Sequence, residues 1–290
     1  MTPFEIAEPR TLREAVSLLD ADDPTIRPLG GGTALMLMMK AGVFEPAKLV
    51  SLRSVEQRYS EIKIDSDGSI RIGALTPLAA LEHSKEIAAK LPVITQTMPL
   101  LSNARVRNVA TVGGALAHGD PHMDLPPIMI ALRATVTVVG PKGERSIPMS
   151  ELLTGYYETQ LAKNELISEV VVPPQAGKRS IYLKCTTRAA HDWPALGVAV
   201  NVAADRDGVR AADVVISAAT ERAIRIEKTS ALLQGRRPDA KMLGEAGQSA
   251  ASEVEPIGDA QGSVAYKREL VRVYVERALR QALEIGGAAQ

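Results

Sequence analysis

Apolar residues recur at helical spacing in Leu12, Ala15, Val16 and Leu19, directly behind the capping-box pattern Thr11-Leu12-Arg13-Glu14, so the chain opens with a helix. A short strand, Ile26 to Leu29, then runs into Gly30-Gly31-Gly32-Thr33, the apolar segment Ala34 to Met39 and a further strand at Lys48 to Leu52. The opening unit is therefore α/β. Ile62 with Ile64, and Ile70 with Ile72, alternate as half-buried strands, and Thr76-Pro77 starts a helix that the pattern extends over Leu78 to Ala89. Ala134 to Val139 and Glu144 to Met149 flank Gly140-Pro141-Lys142-Gly143 as a hairpin, and Glu165 to Val172 adds a strand closed by Pro173-Pro174.

Pro173 to Lys178 combines prolines, Gly177 and Lys178 and marks the domain boundary. Beyond it, Gly197 to Ala204 and Val209 to Ala218 enclose Asp205-Arg206-Asp207-Gly208, an antiparallel hairpin signal. Helices follow at Glu227 to Leu233, Ala240 to Ala251 and, as a long amphipathic one, from Tyr266 to about Glu284. The pattern divides the chain into residues 1–176, with subdomains of about 1–55 and 56–176, and residues 177–290; the fold class is α+β.

With 290 residues the chain can bury a sizeable core. Lys plus Arg and Asp plus Glu are both 34, so no global positive field draws it to nucleic acid or anionic membrane. Aromatics are 3% of the residues, too few for a platform that stacks bases. The single cysteine, Cys185, excludes an internal disulfide framework and any Cys-ligated cluster within the chain. Met1 to Glu5 lacks the cationic and apolar order of a secretory signal, and no apolar run approaches the roughly 20 residues that span a bilayer. The chain thus reads as a soluble, cytoplasmic protein.

Gly30-Gly31-Gly32-Thr33 follows a strand, where glycines let backbone N–H groups approach a phosphate. Neither the G-x-G-x-x-G spacing nor a Gly-Lys-Ser/Thr ending is present, and a plain tight turn explains the residues equally well. Thr111-Val112-Gly113-Gly114 is a second glycine turn, and two such turns suit an extended diphosphate held between loops, or are two unrelated turns. His118-Gly119-Asp120-Pro121-His122-Met123-Asp124 alternates imidazole and carboxylate, the composition of a metal-dependent hydrolase loop or of histidines that stabilise a loop. Lys184 to Arg188 with Asp192-Trp193 offers cations and a planar ring, or a strand with snorkelling cations and a core tryptophan.

Leu29 to Leu35, Arg107 to Ala117, Asp120-Pro121, Asp124-Leu125-Pro126, Glu165-Leu166-Ile167 and Lys184 to Arg188 with Asp192 together resemble the FAD-binding medium subunit of the molybdenum hydroxylases, the carbon monoxide dehydrogenase and xanthine dehydrogenase family. The resemblance covers essentially the whole chain. It implies an FAD-binding domain of two subdomains (PCMH type) and a C-terminal domain of the CO dehydrogenase flavoprotein type, with a three-stranded antiparallel sheet and helices. It also implies roles by position. Leu29, Gly30, Gly31, Gly32 and Thr33, with Thr111, Gly113, Gly114 and Ala115 of the 111–115 loop, hold the FAD diphosphate through backbone N–H groups and the two threonine hydroxyls. Asp124 hydrogen-bonds the cofactor, Ile167 packs at the adenine end, Leu101 lies against the isoalloxazine and Lys184 contacts the flavin side. Asp120, Asp192 and Trp193 complete the cofactor set, and no metal ligand or catalytic residue is assigned.

Many relatives carry Asn or Asp where this chain has Ala115, which removes one side-chain contact. Relatives that reduce aromatic coenzyme A thioesters have an inserted cysteine-bearing loop, absent here. The implied function is electron transfer: [2Fe-2S] clusters in a small partner subunit feed FAD here, molybdopterin sits in a large partner subunit, and the assembly is a dimer of heterotrimers. The alternatives are the metal-dependent hydrolase using His118, Asp120, His122 and Asp124, and a flavin-free assembly module.

Overall fold

The computed structural model describes residues 3–284; Met1 and Thr2, the start of the N-terminal stretch read above, lie outside them. Strands β1 (Glu5–Ala7), β2 (Ile26–Leu29) and β3 (Lys48–Ser51) form a parallel sheet in the order β1-β3-β2. Helices Leu12–Ser17 and Thr33–Lys40 supply the crossovers that parallel strands require. The cap works as read, with one shift: Thr11 Oγ1 accepts from the Glu14 N–H at 3.1 Å, while the Glu14 carboxylate accepts from the N–H of Arg10, not Thr11, at 2.9 Å. Thr33–Lys40 is the apolar segment of the sequence, yet it buries only Met39 and leaves Leu37 67% exposed.

Strands β4 (Ile62–Ile64), β5 (Ile70–Gly73), β6 (Thr135–Gly140) and β7 (Gly143–Pro148) follow. After a small hairpin of β8 (Leu153–Gly155) and β9 (Glu158–Thr159), β10 (Leu166–Val172) inserts between β5 and β6 to give the antiparallel order β4-β5-β10-β6-β7. Six short α-helices and one 3-10 turn, Met98–Leu100, lie between β5 and β6. The single helix expected over Leu78 to Ala89 is two, Leu78–His83 and Lys85–Lys90, because Ser84 takes an extended ψ of 122° and its hydroxyl caps the Ile87 N–H at 3.2 Å. Serine competes with the helix for its own backbone in this way.

The C-terminal part contains β11 (Arg179–Thr186), β12 (Pro194–Ala204), β13 (Val209–Ser217) and β14 (Ile224–Arg225), antiparallel in that order. The sheet therefore has four strands where three were expected. The added strand β14 is two residues long, too short to carry an alternation signal, and pairs only with Val215 and Ile216. On one face, helices Glu227–Leu233, Ala240–Glu253 and Val264–Ala282 bury Leu243, Ala246, Val271 and Leu279 against Val198, Val200 and Ile216. On the other, Tyr182, Ala199 and Val215 join the core that contains Ile128 and Val170. Coverage of both faces explains why residues Pro194 through Ala203 of β12 are all buried and why their sequence is a continuous small-and-branched run. Among the described residues no helix is long and apolar enough to cross a membrane.

Candidate functional site

The two glycine turns meet. Leaving β2 at Leu29, the chain enters helix Thr33–Lys40 through Gly32, whose φ of +70° is left-handed and favours glycine. A Cβ on Gly30 would lie 2.8 Å from Thr111 Oγ1, and one on Gly31 only 1.9 Å from the Val109 carbonyl oxygen. The two loops are packed backbone on backbone. Among the described residues, no acceptor is found for the N–H groups of Gly30, Gly31, Gly32 and Thr33, which stand half-buried or exposed at the start of the helix. Unpaired N–H groups at a helix start are a ready anion site.

The second loop differs from the expectation. Thr111 caps helix Val112–Ala117, and the N–H groups of Val112, Gly113 and Ala115 donate to the carbonyls of Thr76, Ala74 and Thr111 at 3.0, 2.7 and 2.9 Å. The first two hold the loop to the strand-to-helix turn after β5 and the third closes the helix's own first turn, so none of the three is free for a ligand. Gly113 permits that approach: its Cβ would lie 2.7 Å from the Ala74 Cβ. Only Gly114 is exposed, and its N–H makes a longer 3.2 Å bond to Thr111 Oγ1.

A buried ion pair joins β11 to the residue that precedes helix Leu125–Ala131. Lys184 Nζ, on β11, donates to Asp124 Oδ2 and to the Leu100 carbonyl, each at 2.9 Å, and the Tyr182 hydroxyl donates to Asp124 Oδ1 at 2.7 Å. Burial pushes the Asp124 carboxyl above its ordinary 3.8, against the opposing pull of Lys184 and Tyr182, and burial together with Asp124 pushes the Tyr182 phenol well up. Asp124 thus has each of its oxygens engaged by a protein donor. Gly197 pairs with Lys184 across the strands and makes room for this arrangement, since its Cβ would lie 2.6 Å from the Tyr182 hydroxyl. Gly197→Ala is expected to displace Tyr182 from Asp124 and lower stability by about 1–3 kcal/mol, measured by denaturant unfolding; an unchanged midpoint would show that the strand absorbs the methyl group.

Leu101 and Ile167 are buried in the main core. Arg107 fixes the turn beside Leu101: its guanidinium donates to the Leu101 and Ser102 carbonyls at 3.1 and 2.9 Å and to Glu82 at 2.7 and 3.2 Å. Ser102 there has a left-handed φ of 52°. Asp120 accepts from the His122 N–H and the Tyr157 hydroxyl at 2.9 and 3.1 Å and faces His122 Nδ1 at 3.0 Å. His122 Nε2 faces Asp259 Oδ2 at 3.1 Å, and Trp193 stacks on the imidazole at 5.4 Å. Asp192 turns back to the Ala189 N–H at 3.2 Å. The hydrolase reading loses its basis here, because both nitrogens of His122 and both oxygens of Asp124 already have protein partners. Among the described residues no three His, Cys, Asp or Glu side chains converge as a metal set.

Tyr157, Tyr182, Asp259 and Lys267 were not singled out by the sequence. They reach the loop from far along the chain, Asp259 from 137 residues beyond His122, and no local motif marks such partners.

The FAD binding domain in molybdopterin dehydrogenase matches residues 2–175, and the CO dehydrogenase flavoprotein C-terminal domain matches residues 181–282. The carbon monoxide dehydrogenase medium chain of Hydrogenophaga pseudoflava is 30% identical over 280 residues, covering 96% of each chain. The 6-hydroxypseudooxynicotine dehydrogenase complex subunit alpha of Paenarthrobacter nicotinovorans is 30% identical over 281 residues, covering 97% of this chain and 94% of its own. Among solved structures, carbon monoxide dehydrogenase from Hydrogenophaga pseudoflava superposes with a TM-score of 0.93 at 31% identity, covering 98% of this chain and 99% of that one.

Proposed function

Because the chain belongs to the family of FAD-binding subunits of the molybdopterin dehydrogenases, we propose that it receives electrons from [2Fe-2S] clusters of a partner subunit and passes them to an external acceptor. The observation that carries this reading is the cradle in which the unpaired N–H groups of Gly30 to Thr33 lie against Val109 to Thr111. FAD, when bound, supplies the one- and two-electron redox chemistry.

The chain's own residues bind and orient. Gly30, Gly31, Gly32 and Thr33 donate to the diphosphate, the Thr33 and Thr111 hydroxyls and the exposed Gly114 N–H add to them, and Leu29 ends the strand that aims the loop. Gly113 and Ala115 form its packed wall. Leu101 and Trp193 flank the isoalloxazine, Ile167 backs the adenine end, and Asp120 and Asp192 shape the loops that carry these groups. Lys184, fixed by Asp124 and the Leu100 carbonyl, keeps a positive charge on the flavin side, which favours a ring gaining electrons.

The cluster relay must lie elsewhere, since one cysteine cannot hold a cluster. We therefore assign as partners a small [2Fe-2S] subunit and a large molybdopterin subunit, assembled as a dimer of heterotrimers. In the assembled complex, chemically reduced clusters are expected to be reoxidised by a quinone or nicotinamide acceptor about tenfold more slowly once FAD is stripped. Equal rates with and without FAD would overturn the electron-transfer role.

A further inference from the structure

We infer that His122, carrying a proton on each ring nitrogen, is a positioning residue that clamps the C-terminal domain, Trp193 included, onto the loop His118 to Asp124 of the cofactor cradle. The inference extends the FAD reading, on which only its binding arm rests.

The imidazole lies between two carboxylates. Nδ1 is 3.0 Å from Asp120 Oδ1 and Nε2 is 3.1 Å from Asp259 Oδ2. Ionised carboxylates only accept, and a neutral imidazole has a single N–H, so both contacts are hydrogen bonds only in the imidazolium. Every element packed around the ring fits that state. Behind Asp259 stands Lys267, fully buried on the long helix, donating to Asp259 at 2.6 Å and to the Ala218 carbonyl at 2.8 Å. Behind Asp120 stands Tyr157, whose hydroxyl donates at 3.1 Å and whose ring meets His118 edge-on. The sixth group is Trp193, stacked on the imidazole with an interplanar angle of 12°. The charges alternate, so one proton removed from His122 leaves a carboxylate, the buried Asp120 or the more exposed Asp259, facing a lone pair.

Burial alone lowers the proton affinity of His122, but the bonds and charges of Asp120 and Asp259 outweigh it and hold the imidazole above its ordinary 6.5. The clamp is therefore complete below that value and is lost as pH rises through the higher folded value. The loop has anchors of different kinds, and the Ala218 N–H also donates to its Pro121 carbonyl at 3.0 Å. At Asp124 it is held by Lys184, and at His122 it is held by a bond that depends on a proton.

Trp193 is the only tryptophan, so its fluorescence reads the contact directly, and a stacked imidazolium quenches indole emission. In the full-length chain, emission is expected to rise from about pH 6 upward, with a midpoint above 6.5. His122→Gln, which donates one bond and cannot titrate, is expected to emit strongly and evenly across the range. His191→Gln, an exposed imidazole near Trp193, is expected to keep the wild-type curve. FAD affinity is expected to fall about fivefold across the same transition in the wild type and to be flat in His122→Gln. A titration that persists in His122→Gln, or that vanishes in His191→Gln, overturns the clamp. A wild-type FAD affinity independent of pH overturns its positioning role. Failure to bind FAD at any pH would instead defeat the flavin reading, while the fluorescence arm still decides the contact.

Discussion

Gly31→Ala is expected to yield a chain that purifies without FAD. The added Cβ falls 1.9 Å from the Val109 carbonyl oxygen and 2.7 Å from the Ala110 Cα, so backbone has to move, not the tip of a flexible side chain. Overpacking of this kind costs about 1–3 kcal/mol or more, and the movement opens the seam between the two loops that form the cradle. Gly42→Ala is the matched control. Gly42 has a φ of +70° with nothing within 4 Å of its Cβ, so alanine there carries only the backbone strain of about 1–2 kcal/mol. Flavin per chain and the unfolding midpoint, measured together, separate the cases: Gly42→Ala loses some stability and keeps FAD, while Gly31→Ala loses FAD. Full FAD occupancy in Gly31→Ala would mean that the two loops are not one site.

Lys184→Met is expected to have the largest effect on stability. The Lys184 and Asp124 side chains are 4% and 5% exposed, so the substitution strands a carboxylate in the core with only the Tyr182 hydroxyl for company. Breaking one side of such a pair costs about 3–5 kcal/mol, whereas removing both charges costs far less. Lys184→Met with Asp124→Asn should therefore recover much of the stability. It should not recover the flavin, whose reduction potential is expected to stay below the wild-type value because the positive charge is still gone. Denaturant unfolding and a redox titration of the assembled complex give the two readouts. A single variant as stable as the wild type, with an unchanged potential, would leave Lys184 without either role.

Local chemistry made much of the fold readable. Thr11 and Glu14 announce their helix, Gly140 and Gly143 close the hairpin between β6 and β7, and Ile26 to Leu29 is a strand with the same bounds in sequence and structure. The helices between Pro92 and Ala131 escaped because most span six residues, less than two turns, and show no period. At the candidate site, the glycines marked the right loops, but not which N–H groups are free. The Val112 and Gly113 N–H groups are taken by Thr76 and Ala74, a pairing that only the tertiary fold creates. Asp124 and Lys184 were each singled out, yet their bond to one another spans 60 positions and follows from how β11 meets the residue before helix Leu125–Ala131. His122 stood out for a metal-like spacing, and its partners Asp120 and Asp259, the latter held by Lys267, turned that spacing into an ion-paired strut.

The central claim is that the cradle of Gly30 to Thr33 against Val109 to Thr111 holds FAD. The most direct measurement is to purify the chain natively with its partner subunits, release bound small molecules by denaturation, and identify and count them against this chain by mass spectrometry. The account predicts one FAD for each copy of the chain, lost in Gly31→Ala and retained in Gly42→Ala. An intact complex that releases no flavin would contradict it.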